Sequence, residues 1–286
     1  KDRSVNAFAL PGGYMGVHLG LMGVVSSRDE LASVLAHELS HVTQRHISRL
    51  MTQQNRQTPW LIGAMILGAL AASKSPDAAN ALVVGGQAVA AQNQLNFSRD
   101  MEREADRVGY GVMTQAGYSG QGFVSMFEKL QNASRINDNG SFPYLRSHPL
   151  TTQRIADMQS RQHMDAAAAV PVPLAMDHAM LAARARVLSN PGADVLRLWV
   201  AEPDTHSFKT MEPARQAASL YAATRASIQQ REFERARTLL ARLADVTRND
   251  PAAARQARLL SAELELAAGN PQRTLEILAG SPPQRP

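Results

Sequence analysis

His37-Glu38-Leu39-Ser40-His41 lies inside a stretch, residues 27–46, whose apolar positions recur at helical spacing. Two histidines four apart stand one above the other on a single helix face, so both imidazoles can reach one metal ion. Glu38 projects beside that face, placed to take a proton from water that such an ion activates. The start of the helix is marked by Ser27-Arg28-Asp29-Glu30, which has capping-box spacing, with Ser27 as N-cap and Glu30 reaching back to it. Leu31, Val34, Leu35, Leu39 and Val42 then predict the buried face. His46 follows closely, but Val42-Thr43-Gln44-Arg45 contains no glycine turn and predicts continued helix. His46 is therefore read as a surface residue or one behind the ligands, not as a ligand itself.

A catalytic zinc takes three protein ligands and keeps one open position. The chain has no cysteine, so the third ligand must be His, Asp or Glu. Met101-Glu102-Arg103-Glu104-Ala105-Asp106-Arg107-Val108-Gly109 supplies the best candidate. Glu102 and Asp106 are one turn apart, and the small residues Ala105 and Gly109 fall on the same side, which allows close approach to the first helix. Glu102 is the predicted third ligand. Asp106 is predicted to accept the free N–H of a ligand histidine and fix its tautomer. Glu104 points toward the Arg103/Arg107 side and reads as solvated. Two histidines and a glutamate favour zinc, one Zn2+ per chain, and the His-Glu-x-x-His spacing is that of zinc peptidases.

Two further motifs complete a pattern: Asn6-Ala7-Phe8-Ala9-Leu10-Pro11-Gly12-Gly13, and His148-Pro149-Leu150 through Arg154-Ile155. In this order, over about residues 1–165, the four motifs resemble the gluzincin metallopeptidases of the HtpX and CAAX-prenyl-protease type. Within them the likeness is greatest to the periplasmic, TPR-bearing BepA-type (beta-barrel assembly-enhancing) proteases. The resemblance implies an α+β zincin-type catalytic domain with an active-site edge strand, on which Asn6, Ala7 and Phe8 meet an extended substrate through main-chain hydrogen bonds. It places His148 near the metal, either as a donor to the oxyanion or in the open zinc position, holding the enzyme latent. Arg154 would stabilise the oxyanion or brace a neighbouring carboxylate. The periplasmic location rests on the resemblance alone. No signal peptide is visible, and since the chain opens at Lys1 directly before the first strand, a processed or trimmed chain is expected.

The remaining segments predict a mainly α protein with a small β-sheet. Val5–Leu10 and Tyr14–Leu19 read as strands joined by Pro11-Gly12-Gly13. Residues 60–72 are the most apolar run, too short for the roughly 20 residues that cross a bilayer. Ser73-Lys74-Ser75-Pro76-Asp77 breaks it before a second apolar helix, Ala78–Gln92, interrupted by Gly85-Gly86. This pair is either a hairpin packed on the catalytic domain or a flap facing substrate or, by peripheral contact through residues 60–92, a membrane. A polar loop from Asn132 to Ser141 precedes the His148 motif.

Ala166–Pro173 reads as a linker, and the division expected is 1–165 catalytic, 166–174 linker and 175–286 TPR-like. Helices are predicted near 176–189, 213–228, 233–247, 252–268 and 271–279, with breaks at spacings close to the roughly 34-residue TPR period. Such a stack offers a groove for a protein partner; a plain helical cap is the alternative. The ending at Ser281-Pro282-Pro283 leaves few repeats, and a longer natural protein is expected.

A net charge of +5 and a pI near 9.9 are spread along the chain without an aromatic-interleaved Lys/Arg cluster, so nucleic acid is not an expected partner. The absence of cysteine says only that the fold needs no disulfide. His18, His163, His178 and His206 lack acidic companions at ligand spacing. Together these features predict a zinc-dependent endopeptidase acting, with loose sequence preference, on unfolded or misassembled envelope proteins. The alternative is a TPR-based chaperone or assembly factor for outer-membrane proteins whose protease site is held latent.

Overall fold

The computed structural model describes residues 2–10, 12–72, 76–135, 142–165, 174–189 and 191–279. The linker expected at 166–173, most of the polar loop before residue 142, the break at 73–75 and the tail 280–286 lie outside the described residues.

The chain opens with an antiparallel hairpin, β1 (Ala7–Ala9) and β2 (Met15–Val17), in which Phe8 faces Gly16. Gly12 and Gly13 turn it with φ of 93° and 85°, values that L side chains rarely adopt. A Cβ on Gly16 would fall 2.3 Å from the Phe8 ring, so glycine at that position lets Phe8 lie across β2. Both strands are shorter than predicted because the chain bends at His18 into α1 (Leu19–Val24).

Helix α2 (Arg28–Thr43) starts as its sequence predicts, with Ser27 Oγ accepting from the Glu30 amide at 3.1 Å. The Glu30 carboxylate reaches one residue further than a capping box requires. It accepts from the Ser26 amide and from Lys129 Nζ, both at 2.6 Å. The buried face of α2 is small and polar, comprising Glu30, Ser33, Val34, Ala36, His37, Glu38 and Ser40. Leu39, assigned to the buried face by periodicity, is instead 38% exposed. The cause is helix α4 (Pro76–Gln115), which approaches the Ala36/His37 side so closely that a Cβ on Gly109 would meet the Ala36 carbonyl carbon at 3.0 Å. Ala105, one turn earlier on the same side, is fully buried.

The structure also corrects the expectation of continuous helix through His46. Helix α2 ends at Thr43, Arg45 takes a left-handed φ of 55°, and α3 (His46–Ala72) starts in a new direction. Helices α3 and α4 form a long antiparallel hairpin. Ile62, Met65, Ile66 and Leu67 of α3 and Val84 and Val89 of α4 are exposed on it. No helix among the described residues is long and apolar enough to cross a membrane. Helices α5 (Gln121–Arg135), α6 (Tyr144–Ser147) and α7 (Thr152–Asp165) close the N-terminal core around Leu21, Val34, Phe123, Phe127 and Met158.

A second core, around Met180, Leu220, Tyr221, Leu243 and Leu260, is built by α8 (Met176–Leu188), α9 (Ala193–Ala201), a 3-10 turn (Glu202–Asp204), α10 (His206–Lys209), α11 (Pro213–Gln229), α12 (Phe233–Thr247), α13 (Pro251–Ala267) and α14 (Pro271–Ala279). Proline opens α11, α13 and α14, where its missing N–H costs no helical bond. Asp250 caps α13 by accepting from the Ala252 and Ala253 amides at 3.0 Å. Helices α9 and α10 were not anticipated by periodicity; nine and four residues are too short to carry a strong helical pattern. The two cores meet where α1 packs on α8, with Gly23 leaving room for the Arg186 stem and Arg28 paired to Asp177 at 2.6 Å.

Candidate metal centre

Three elements converge on one buried point. Helix α2 brings His37, Glu38 and His41, α4 brings Glu102 and Asp106, and the turn after α6 brings His148. One donor atom each from His37, His41, Glu102 and His148 lie within 4.8 Å of one another. His41 Nε2 is 3.0 Å from His37 Nε2, and these two nitrogens lie 3.4 and 3.3 Å from the Glu102 oxygens. His148 Nδ1 is 3.1 Å from Glu102 Oε1 and 3.3 Å from His37 Nε2. Three imidazole nitrogens and a carboxylate in so small a space are a donor set suited to a borderline-soft cation. His37 Nδ1 donates to Asp106 Oδ1 at 2.9 Å, which in the neutral ring leaves the Nε2 lone pair toward the cluster.

Arg154 of α7 fixes the acidic side of the site. Its Nε and Nη2 donate to Asp106 at 2.6 and 2.7 Å, and its Nη1 donates to the Pro149 carbonyl at 2.8 Å and lies 3.0 Å from Glu102 Oε2. The guanidinium also stacks over Phe127 at 5.3 Å. Of the two roles expected for Arg154, this is the geometry of a brace for carboxylates, since Nε, Nη1 and Nη2 each meet an acceptor within the protein.

Burial by itself would lower the basicity of His37, but the Asp106 and Glu102 carboxylates outweigh it and push the imidazole up to about 9. For His41, burial and the charge on His37 act together and push it down to about 3. Burial would raise Glu102 and Asp106; instead His148 and His37 hold Glu102, and Arg154 and His37 hold Asp106, below the ordinary carboxylate range. Glu38 is buried, its Oε1 makes no hydrogen bond among the described residues, and His148 Nε2 approaches that oxygen to 3.4 Å.

On the edge strand the predicted substrate residues are placed differently from one another. Ala7 is fully buried, the Phe8 ring lies over Gly16 and edge-on to His18, and Asn6 Oδ1 is buried without a hydrogen bond. The Asn6 carbonyl accepts from the His18 amide and the Leu10 amide donates to the Tyr14 carbonyl. By strand alternation, the main-chain groups of Ala7 and Ala9 therefore face away from β2.

One residue of the site, Tyr144, was not singled out by sequence reasoning, while His46 takes the place behind the ligands that was one of its two expected positions. Tyr144 lies against His148 with ring centroids 4.6 Å apart, and its position four residues before His148 was the available signal. His46 is 2% exposed and lies directly behind His41, with Nδ1 2.9 Å from His41 Nδ1. Glu104, read as solvated near Arg103 and Arg107, is half-exposed and turns to α3, where it accepts from Arg49 at 2.7 Å and meets His46 Nε2 at 3.3 Å.

The sequence profile of peptidase family M48 matches residues 1–162, a span that contains the whole donor cluster. The chain belongs to peptidase family M48. M48 members are metalloendopeptidases, and His37, His41, Glu102 and His148 form a donor group that could hold the metal ion of such an enzyme. This M48 chain is 35% identical over 246 residues to the putative beta-barrel assembly-enhancing protease of Vibrio cholerae serotype O1, covering 85% of this chain and 49% of the relative. It is 35% identical over 240 residues to the beta-barrel assembly-enhancing protease of Yersinia pestis, covering 84% and 48%. The metalloprotease LoiP of Escherichia coli K12 is 29% identical over 163 residues, covering 57% of this chain and 61% of LoiP. The chain thus spans about half the length of the beta-barrel assembly-enhancing relatives it matches.

Proposed function

We propose that this M48 chain is a zinc-dependent endopeptidase that hydrolyses peptide bonds in misfolded or misassembled envelope proteins of the periplasm. One observation carries the reading: the His37, His41 and Glu102 donors converge beside a buried Glu38 oxygen that has no hydrogen-bond partner among the described residues. His37, His41 and Glu102 would hold the ion. Zinc, when bound, supplies Lewis-acid polarisation and acidifies water to a pKa of about 7. Glu38 takes the proton of the attacking water and passes it to the leaving amine. Asp106 keeps His37 in its ligating tautomer, and Arg154 positions Asp106 and Glu102. The main-chain groups of β1 that face away from β2, covered at Ala7 and part-exposed at Ala9, would pair with an extended substrate, with Asn6 at the start of the same segment. Such recognition demands little of substrate side chains and suits unfolded chains. Casein cleavage by the zinc-loaded protein should be lost on chelation and return with zinc. Cleavage that survives complete removal of metal would sink the reading.

The position of His148 favours a second reading. Its Nδ1 joins the other three donors, and a four-ligand set leaves no open position. In that reading the protease is latent and the chain acts chiefly as an assembly factor for outer-membrane proteins; the names of its relatives mention beta-barrel assembly together with protease activity. His148→Ala separates the two. A rise in casein cleavage marks a latch, and a fall marks a donor needed for turnover.

The helices after residue 175 are proposed as a TPR-like partner-binding domain distinct from the catalytic domain. A groove of about 570 Å3 between α12, α13 and α14, lined by Leu240, Ala244, Ala257 and Leu264, would take a segment of a protein partner. Photo-crosslinking from position 240 would trap such a partner, and an empty trap in cell envelopes would count against it. Exposed apolar side chains at 62, 65, 66 and 67 spread over more than half the circumference of α3, which supports peripheral contact of the hairpin with a membrane. Ile66→Asp should reduce co-sedimentation with phosphatidylglycerol vesicles several-fold and leave casein cleavage unchanged. Equal sedimentation of parent and variant would exclude this contact.

A further inference from the structure

We infer that His46 is a positioning residue that holds His41 in the tautomer able to ligate the metal, an assignment that rests on the metallopeptidase reading above. His41 faces the donor cluster with Nε2, so its proton must sit on Nδ1 when it ligates. The only acceptor recorded for that proton among the described residues is Nδ1 of His46, at 2.9 Å. His46 must then carry its own proton on Nε2, and it donates that proton to Glu104 Oε2 at 3.3 Å. Arg49 Nη1 closes the series by donating to the same oxygen at 2.7 Å. Each member dictates the hydrogen placement of the next: arginine can only donate, the carboxylate can only accept, and each neutral imidazole does one at each nitrogen.

The backbone is bent to make this contact. Along an unbroken helix, residues five apart lie roughly 140° apart around the axis, and His46 would point away from His41. The left-handed Arg45, at φ 55°, ends α2 and folds the first residue of α3 back over the ring. A non-glycine residue in that conformation is strained and persists where the surroundings require it. The two imidazole rings end 4.8 Å apart and nearly perpendicular, and His46 is buried with both nitrogens engaged. His37 receives the same service from Asp106 and Arg154 on the opposite side of the site. The two ligand histidines are thus oriented by separate hydrogen-bond chains, one ending on α7 and one on α3.

Two substitutions test the atom responsible. Asparagine places its amide oxygen close to the Nδ1 position of histidine and can still accept from His41, whereas leucine fills similar space without an acceptor. Zinc affinity, measured by competition with a fluorescent chelator, should fall roughly 10–100-fold in His46→Leu, as for other residues that orient ligands. In His46→Asn it should stay within several-fold of the parent, with thermal melts of the metal-free proteins showing that both variants fold. Equal affinity in parent and His46→Leu overturns the inference alone, as does an equal loss in both variants. A parent that binds no zinc overturns the metallopeptidase reading and the inference with it.

Discussion

Glu38→Gln should leave the zinc content of the protein at one ion per chain and lower the rate of casein cleavage by about 10²–10⁴-fold. The substitution preserves volume and the neighbouring packing, and it removes the one property that matters, the capacity to take a proton. Glu38 is 1% exposed and its Oε1 has no hydrogen bond among the described residues, His148 Nε2 standing 3.4 Å away, so its lone pair is left to meet the water. A buried carboxylate oxygen left without a hydrogen bond is costly, and the proposed catalytic use would account for keeping it. Metal analysis and kcat from the same preparations give the answer together. A variant that retains zinc and cleaves within tenfold of the parent would remove Glu38 from the chemistry. A variant that loses zinc would move Glu38 into the ligand set.

Arg154→Ala should destabilise the N-terminal half by about 3–5 kcal/mol, because it leaves the Asp106 and Glu102 carboxylates buried without their cation. In thermal unfolding this corresponds to a fall of the order of 10 °C. Zinc affinity should fall as well, since Asp106 would lose the fork that aims it at His37 Nδ1. Arg154→Lys should recover little of either, as a point charge cannot reproduce two parallel bonds to one carboxylate together with contacts to Glu102 and the Pro149 carbonyl. Scanning calorimetry of the metal-free proteins isolates the stability effect from the metal. A fall below about 2 °C for Arg154→Ala would show that Asp106 finds another partner and would remove the bracing role.

The helical frame was largely legible because its signals are local. Ser27 caps α2 as its spacing predicts, Pro213, Pro251 and Pro271 mark true helix starts, and Asp250 caps α13 with its side chain. The small residues Ala105 and Gly109 announced a close helix approach, and Gly109 does lie against the Ala36 backbone. Leu39 shows where periodicity fails. Hydrophobicity predicted it inward, yet the inner face of α2 had to be narrow and polar to admit α4 and the metal ligands. Similarly, Glu104 was read from its own helix alone, and its partners turned out to lie on α3.

By itself the sequence determined the proposed ligand pair, the carboxylate between them and the Glu102/Asp106 pair of a second helix. All of these are spacings of three or four residues on one helix, where chain geometry places the side chains before any tertiary contact forms. Only the tertiary structure decided that His148 enters the donor cluster, that Arg154 engages both carboxylates, and that His46 returns to His41. The first two join residues more than 40 positions apart, and the third depends on a left-handed turn at a residue, Arg45, whose type gives no sign of it. Such contacts are selected by how helices pack, and no periodicity within a single helix encodes them.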